Sequence, residues 1–271
     1  MSDFRRGALA ALKAKIAALE AGGRADSAFL PFGAAAIDDL LPGGGLPLGR
    51  WHEITGAGLE AETGAAPAAF AALMASPLAA RGEAVWVFRR DDLFAPGLSG
   101  LGFPAQRLIQ VYARDEAEAL SVMEDALATV GVAVVIGETE DVDLTAGRRL
   151  QLACEKRGAT ALVLRRSPFG AAAARGAGST AATRWRVASA PSEPPAGEFG
   201  LGAPRFEVTL ERCRGGRTGT FLMEAPEAYS GAYSTQVKIG EKTDGAHPLR
   251  LVADLGDRQL APAQPAHRTA A

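Results

Sequence analysis

The residues whose spacing comes nearest to a known chemistry are the glycines of Gly56 to Gly64, read as GAGLEAETG. They lie between a strand-like run, Arg50 to Thr55 (RWHEIT), and a helix-like run, Ala65 to Ala80. Glycines at a strand-to-helix turn let backbone N–H groups wrap phosphates, and in the pattern GxxxxGK[ST] a lysine and a hydroxyl meet the outer phosphates and Mg²⁺. Here Gly56, Gly58 and Gly64 stand with Glu60, Glu62 and Thr63 among them, but Ala65 and Ala66 follow where the lysine and hydroxyl belong. Gly64 serves as the second glycine only if the loop is longer. Without the lysine no cation meets the phosphates, and Glu60 and Glu62 repel them. The loop therefore predicts no catalytic residue and no bound nucleotide cofactor.

Other reactive residue types do not form a site. Cys154 and Cys213 sit in a helical and a strand-like pattern and read as reduced thiols rather than a disulfide or metal pair. His52, His247 and His267 are scattered, so no metal ligand set is indicated. Arg165, Arg166, Arg175, Arg184 and Arg186 gather around a loop rich in small residues. Arginines so placed meet nucleic-acid phosphates or are ordinary solvated residues, and the sequence leaves both readings open. Trp185, between two of them, reads as core or as a base-stacking platform, with core favoured by its alternation.

The elements that position these residues follow an αβ pattern. Phe4 to Glu20 is helical in period, with Leu9, Leu12, Ile16 and Leu19 on one side, and packs on the body or on a partner. Ala35 to Leu41 is a short helix stopped by Pro42 and three glycines. Ala84 to Phe88, Leu108 to Tyr112, Val130 to Ile136 and Ala159 to Leu164 are apolar strands of the doubly buried kind, with Val130 to Ile136 expected at the centre. Asp115 to Thr129 and Asp143 to Arg157 are amphipathic helices, the second stopped by Gly158. Arg184 to Ala188, Arg205 to Arg214 and Thr220 to Met223 alternate and are expected as antiparallel edge strands. Helices on both faces of a mainly parallel sheet are implied.

Whole-chain quantities bound the function classes. The 271 residues, 48% hydrophobic, support a buried core, while 32 Gly and 16 Pro imply loose loops and ends. A formal net charge of −2 argues against capture of nucleic acid by the whole surface. There is no secretory leader pattern and no apolar run of membrane-spanning length, so the cytoplasm is expected. The domain reading is an N-terminal helix and linker over 1–27, a core over 28–225, and a largely flexible tail over 226–271 with a short contact segment within HPLRLVADLGD.

LLPGGGLPLGRWHEITG (Leu40 to Gly56) resembles the entry into the ATPase core of the RecA family, and Val87 to Glu138 follows the RecA order of strand, acidic turn, helix, strand, helix and strand. SPFG followed by TRWRV is similar to the second DNA-binding loop region of that family. Within it, ATRWRVASAPS (Ala182 to Ser192) and FEVTLERCRGGR (Phe206 to Arg217) resemble the ImuA family, which is RecA-like and SulA-related. The resemblance spans roughly residues 28 to 225. It implies an α/β RecA-like P-loop NTPase core with a degenerate loop. Asp91 falls near the water-activating glutamate of the family, and Glu138 near its Mg²⁺-associated aspartate.

By resemblance, the function is a non-catalytic accessory role in damage-induced mutagenesis and translesion DNA synthesis. The implied partners are ImuB, a Y-family polymerase homologue, together with RecA and an error-prone replicative-type polymerase, the protein being nucleoid-associated when engaged. The alternatives are a SulA-like division inhibitor and an ATP-dependent DNA-binding protein of the RecA group.

Overall fold

The computed structural model describes residues 28–58, 64–166, 179–194, 196–197, 199–226 and 247–256. The expected helix Phe4 to Glu20 lies outside them. Phe29–Leu30 (β1) pairs antiparallel with Leu46–Pro47 (β2) in a small sheet, with Ala35–Asp38 (α1) and a 3₁₀ turn at Pro42–Gly44 between them. Among the described residues nine strands form the main sheet: Trp51–Gly56 (β3), Glu83–Phe88 (β4), Leu108–Tyr112 (β5), Val132–Thr139 (β6), Thr160–Arg165 (β7), Thr183–Ala190 (β8), Arg205–Cys213 (β9), Gly219–Glu224 (β10) and Arg250–Gly256 (β11). Their order is β11-β10-β9-β8-β3-β7-β6-β4-β5. The pairs from β8 through β3, β7, β6 and β4 to β5 are parallel, and β9, β10 and β11 add antiparallel. The fold is α/β and RecA-like in architecture.

Two expectations change. β8 alternates, yet it is interior and parallel to β3 rather than an antiparallel edge strand. Its alternation has another cause: Trp185 and Val187 enter one core, while Arg184 and Arg186 occupy the other face, where no buried apolar cluster reaches. The middle of the sheet is β3, not β6, because three antiparallel strands extend the sheet on one side only. The last strand, β11, lies within the segment read as a tail, with Leu249 buried just before it.

Helices cover both faces of the parallel part. Ala65–Ala79 (α2) packs Phe70, Leu73 and Met74 against Ile54, Trp86, Ile136 and Leu162, and its many alanines allow close approach. Ala95–Ser99 (α3) adds Leu98 to that core. On the other face Glu116–Ala128 (α4) and Leu144–Arg157 (α5) bury Met123, Leu127, Leu150 and Cys154 against Val85, Val135 and Val163. Both begin at an aspartate whose side chain accepts from a free N–H, Asp115 from Glu118 at 2.8 Å and Asp143 from Ala146 at 2.7 Å. Gly158 ends α5 at φ 76°, where a Cβ would strain the backbone.

The seam between the small sheet and β8 holds two buried histidines. Trp185 Nε1 donates to Thr183 Oγ1 at 2.7 Å, and that hydroxyl in turn faces His52 Nδ1 at 2.7 Å. His52 Nε2 lies 2.9 Å from the Pro47 carbonyl, which fixes the proton on Nε2. The His247 ring stacks on Phe32 with centroids 4.3 Å apart and the His247 backbone N–H donates to Pro31 O at 2.9 Å, while neither ring nitrogen has a partner among the described residues. Burial lowers His52 to about 4, with the Pro47 bond opposing and Arg50 assisting; burial, and then the charge of His52, lowers His247 to about 3.

Below pH ~6.5 the unfolded chain therefore binds protons that the fold refuses, so stability falls as pH falls, by up to about 1.4 kcal/mol per unit for each histidine. His247→Phe keeps the ring stack and removes one such group. Its urea midpoint should lose about 2 kcal/mol less stability than wild type between pH 7 and pH 5.

Candidate functional site

Parallel strands bring their C-terminal ends to one edge of the sheet, the usual place for a ligand in open α/β sheets. At this edge lie the glycine loop after β3, the turn Arg89 to Asp92 after β4, Glu140 and Asp141 after β6, and Arg165 and Arg166 at the end of β7. Gly56 closes β3, Ala57 N donates to Val187 O at 3.0 Å, and Gly58 has φ 106°, open to glycine. Thus the first loop N–H is used within the sheet. Leu59 to Thr63, and with them Glu60, Glu62 and Thr63, lie outside the described residues. Gly64 is the helix N-cap and offers no side chain, and Ala65, Ala66 and Pro67 form the first turn. Pro67 has no N–H, so the helix start has one donor fewer for an anion.

The charged side chains at the edge are bound to each other. Glu53, 2% exposed, accepts from Arg165 Nη1 and from Arg184 Nε, each at 3.0 Å. Arg165 also reaches Asp141 Oδ1 at 2.7 Å and Glu140 O at 3.0 Å. Glu138, equally buried, accepts from Trp86 Nε1 and from Arg166 Nη1, both at 3.2 Å, and Arg166 also grips Asp92. Arg89 bridges Glu116 at 2.7 Å and Glu140 at 3.1 Å. Arg186 pairs with Glu211 at 2.7 Å on the outer face of β8 and β9.

Two carboxylates that sequence position alone would associate with a metal or a water are thus occupied or solvated. Glu138 is filled by an indole and a guanidinium, and Asp91 is exposed while its neighbour Asp92 holds Arg166. Among the described residues no group of three or more His, Cys, Asp or Glu is arranged to hold a metal. A buried carboxylate held by two guanidinium groups, as Glu53 is, rigidifies the strands it links, and the paired cations favour its charged form over taking up a proton as a base.

The arginine cluster divides. Arg165, Arg166 and Arg184 come together at the two buried glutamates, Arg186 stands apart with Glu211, and Arg175 lies outside the described residues. Trp185 is fully buried between the rings of Phe32 and Phe70, centroids 5.7 and 5.9 Å away, and is core. Leu9, Leu12, Ile16 and Leu19 lie outside the described residues. Both thiols are free and their burial pushes them up, Cys154 to about 12 and Cys213 to about 11, so neither is a reactive thiolate. The residue missing from the sequence reading is Glu53. Its signal was a lone carboxylate in the middle of RWHEIT, a strand buried on both faces.

No helix among the described residues is long and apolar enough to cross a membrane. No protein-family model matches the chain. Protein ImuA of Caulobacter vibrioides, from strain NA1000 / CB15N, is 55% identical over 256 residues, covering 92% of this chain and 99% of that protein. Protein ImuA of strain ATCC 19089 / CIP 103742 / CB 15 aligns with the same identity and coverage.

Proposed function

Because this chain belongs to the ImuA family, we propose that it is a non-catalytic RecA-like accessory protein of damage-induced mutagenesis and translesion DNA synthesis. It acts by docking. Its partner is ImuB, the Y-family polymerase homologue, with RecA and the error-prone replicative-type polymerase as further members of the assembly, in the cytoplasm at the nucleoid. The observation that carries the reading is the state of the strand-end edge. The loop lacks its lysine and hydroxyl, and the arginines beside it are committed to Glu53, Glu138, Asp92 and Asp141 rather than presented to phosphate. Such a site supports binding surfaces elsewhere on the body in preference to nucleotide chemistry or direct DNA contact.

The 1–27 segment, with Leu9, Leu12, Ile16 and Leu19 at helical spacing, is one contact in this reading, and the chain beyond the RecA-like body is another. The test is co-purification of the full chain, and of versions lacking 1–27 or 257–271, with ImuB, RecA, single-stranded DNA and the tubulin-like division protein in parallel. Retention of ImuB, lost on removing 1–27, is the expected result. Retention of the division protein in place of ImuB would overturn the reading in favour of a SulA-like inhibitor.

A further inference from the structure

Helix α5 carries an outward row that its packing does not explain. Leu144, Arg148, Leu152 and Lys156 follow one another at i, i+4 spacing, which stacks them along one side of the helix. All four are exposed, the two leucines by 53% and 66%. The inner side of the same helix already provides its core contacts through Gly147, Leu150 and Cys154. Lys156 and Arg157 in the last turn suit the helix dipole. Arg148 in the middle does not have that reason, nor do the leucines.

The charge on this side is uncompensated. Arg148, Lys156 and Arg157 have no ion-pair partner among the described residues. The acid beside them, Glu155, is taken up by Arg50 and by Gln151 Nε2, the latter at 2.9 Å. Arg149, on the flank, is held by Glu124 at 2.7 Å. What remains is an alternation of leucine and cation along three turns of helix.

We infer that this row of α5 is a docking site for an amphipathic helix of a protein partner that alternates large aliphatic residues with Asp or Glu. Charge decides the occupant. A second copy of α5 laid on the row would oppose cation to cation. The chain's 1–27 segment carries Arg5, Arg6, Lys13, Lys15 and Arg24 against Asp3, Glu20 and Asp26, and 257–271 carries Arg258 and Arg268 against Asp257. Segment 227–246 carries Glu227, Glu241 and Asp244 against Lys238 and Lys242, but Lys238 sits between its aliphatics Val237 and Ile239, and Gly231, Gly240 and Gly245 interrupt it. None of these three segments alternates large aliphatics with acids along an uninterrupted helical stretch, so the site is built for another chain. The inference does not depend on which partner is proposed above.

Fluorescence anisotropy on the full chain tests it with two labelled four-turn peptides. One alternates leucine and glutamate along an i, i+4 row, and the other has lysine in place of glutamate. The glutamate peptide should bind more weakly as salt is raised, and the lysine peptide should not bind. Leu144→Ser with Leu152→Ser, or Arg148→Glu with Lys156→Glu, should each weaken the glutamate peptide by about tenfold or more, about 1.4 kcal/mol. The charge-reversed variant should also gain the lysine peptide. All four positions are exposed, so folding is preserved, and unchanged thermal midpoints would verify it. The inference is overturned if the glutamate peptide does not bind, if the variants bind it like wild type, or if both peptides bind alike. Self-association abolished by Leu152→Ser would overturn it too, by giving the row to a second copy.

Discussion

Glu53→Gln should lower the thermal midpoint by about 10 °C, the largest loss expected from any isosteric change in the protein. The carboxylate is buried between two guanidinium groups, Arg165 and Arg184, each at 3.0 Å. Removing one member of a buried ion pair strands the others, at a cost of about 3–5 kcal/mol. The side chains of Arg165 and Arg184 keep 10% and 18% exposure, which places the cost near the lower end of that range. For a domain of this size each kcal/mol moves the midpoint by about 2–4 °C. Arg184→Met should cost less, because Arg165 stays on Glu53 and also holds Asp141. Differential scanning calorimetry of both variants at pH 7 checks the order. If Glu53→Gln melted within about 2 °C of wild type, the network would not be holding the strand ends.

Trp185→Ala should remove about 4 kcal/mol of stability, read as a shift in the urea midpoint. The indole fills the space between Phe32 and Phe70, so its loss opens a cavity where the small sheet, α2 and β8 meet. It also takes the donor from Thr183 Oγ1 and loosens the hydroxyl that faces His52. Trp185→Phe keeps most of the packing and loses the N–H, and should cost about 1–2 kcal/mol. A tryptophan that served as a stacking platform for bases would show the opposite behaviour: little stability lost, and single-stranded DNA binding lost.

Trp185 was legible because alternation on one strand is a local signal, and the same holds for Asp115, Asp143 and Gly158, which set helix ends by contacts within a few residues. Glu53 pairs with residues more than a hundred positions away, through the parallel register of β3 with β7 and β8. No spacing in the chain announces that register, so Arg165 and Arg184 read as a surface cluster when they are neighbours of a buried acid. β8 departs from the expected edge position for a related reason. Its alternation reports a face that the apolar core leaves uncovered, and an edge position gives the same pattern. β11 has only a short apolar group between polar, Gly- and Pro-containing flanks; its place on the sheet comes from β10, which offers an edge, and from His247 against Phe32.

Arg165, Arg166 and Arg184 are each matched to a carboxylate within the protein, Glu53, Glu138 or Asp92. The docking role proposed for this RecA-like frame requires that it carry no nucleotide chemistry. The direct measurement is inorganic phosphate released from ATP by the purified full chain, with and without single-stranded DNA, alongside Glu60→Ala and Glu62→Ala. No release above the protein-free rate is expected in any of these; ATP turnover that changes when Glu60 or Glu62 is replaced would contradict the docking role.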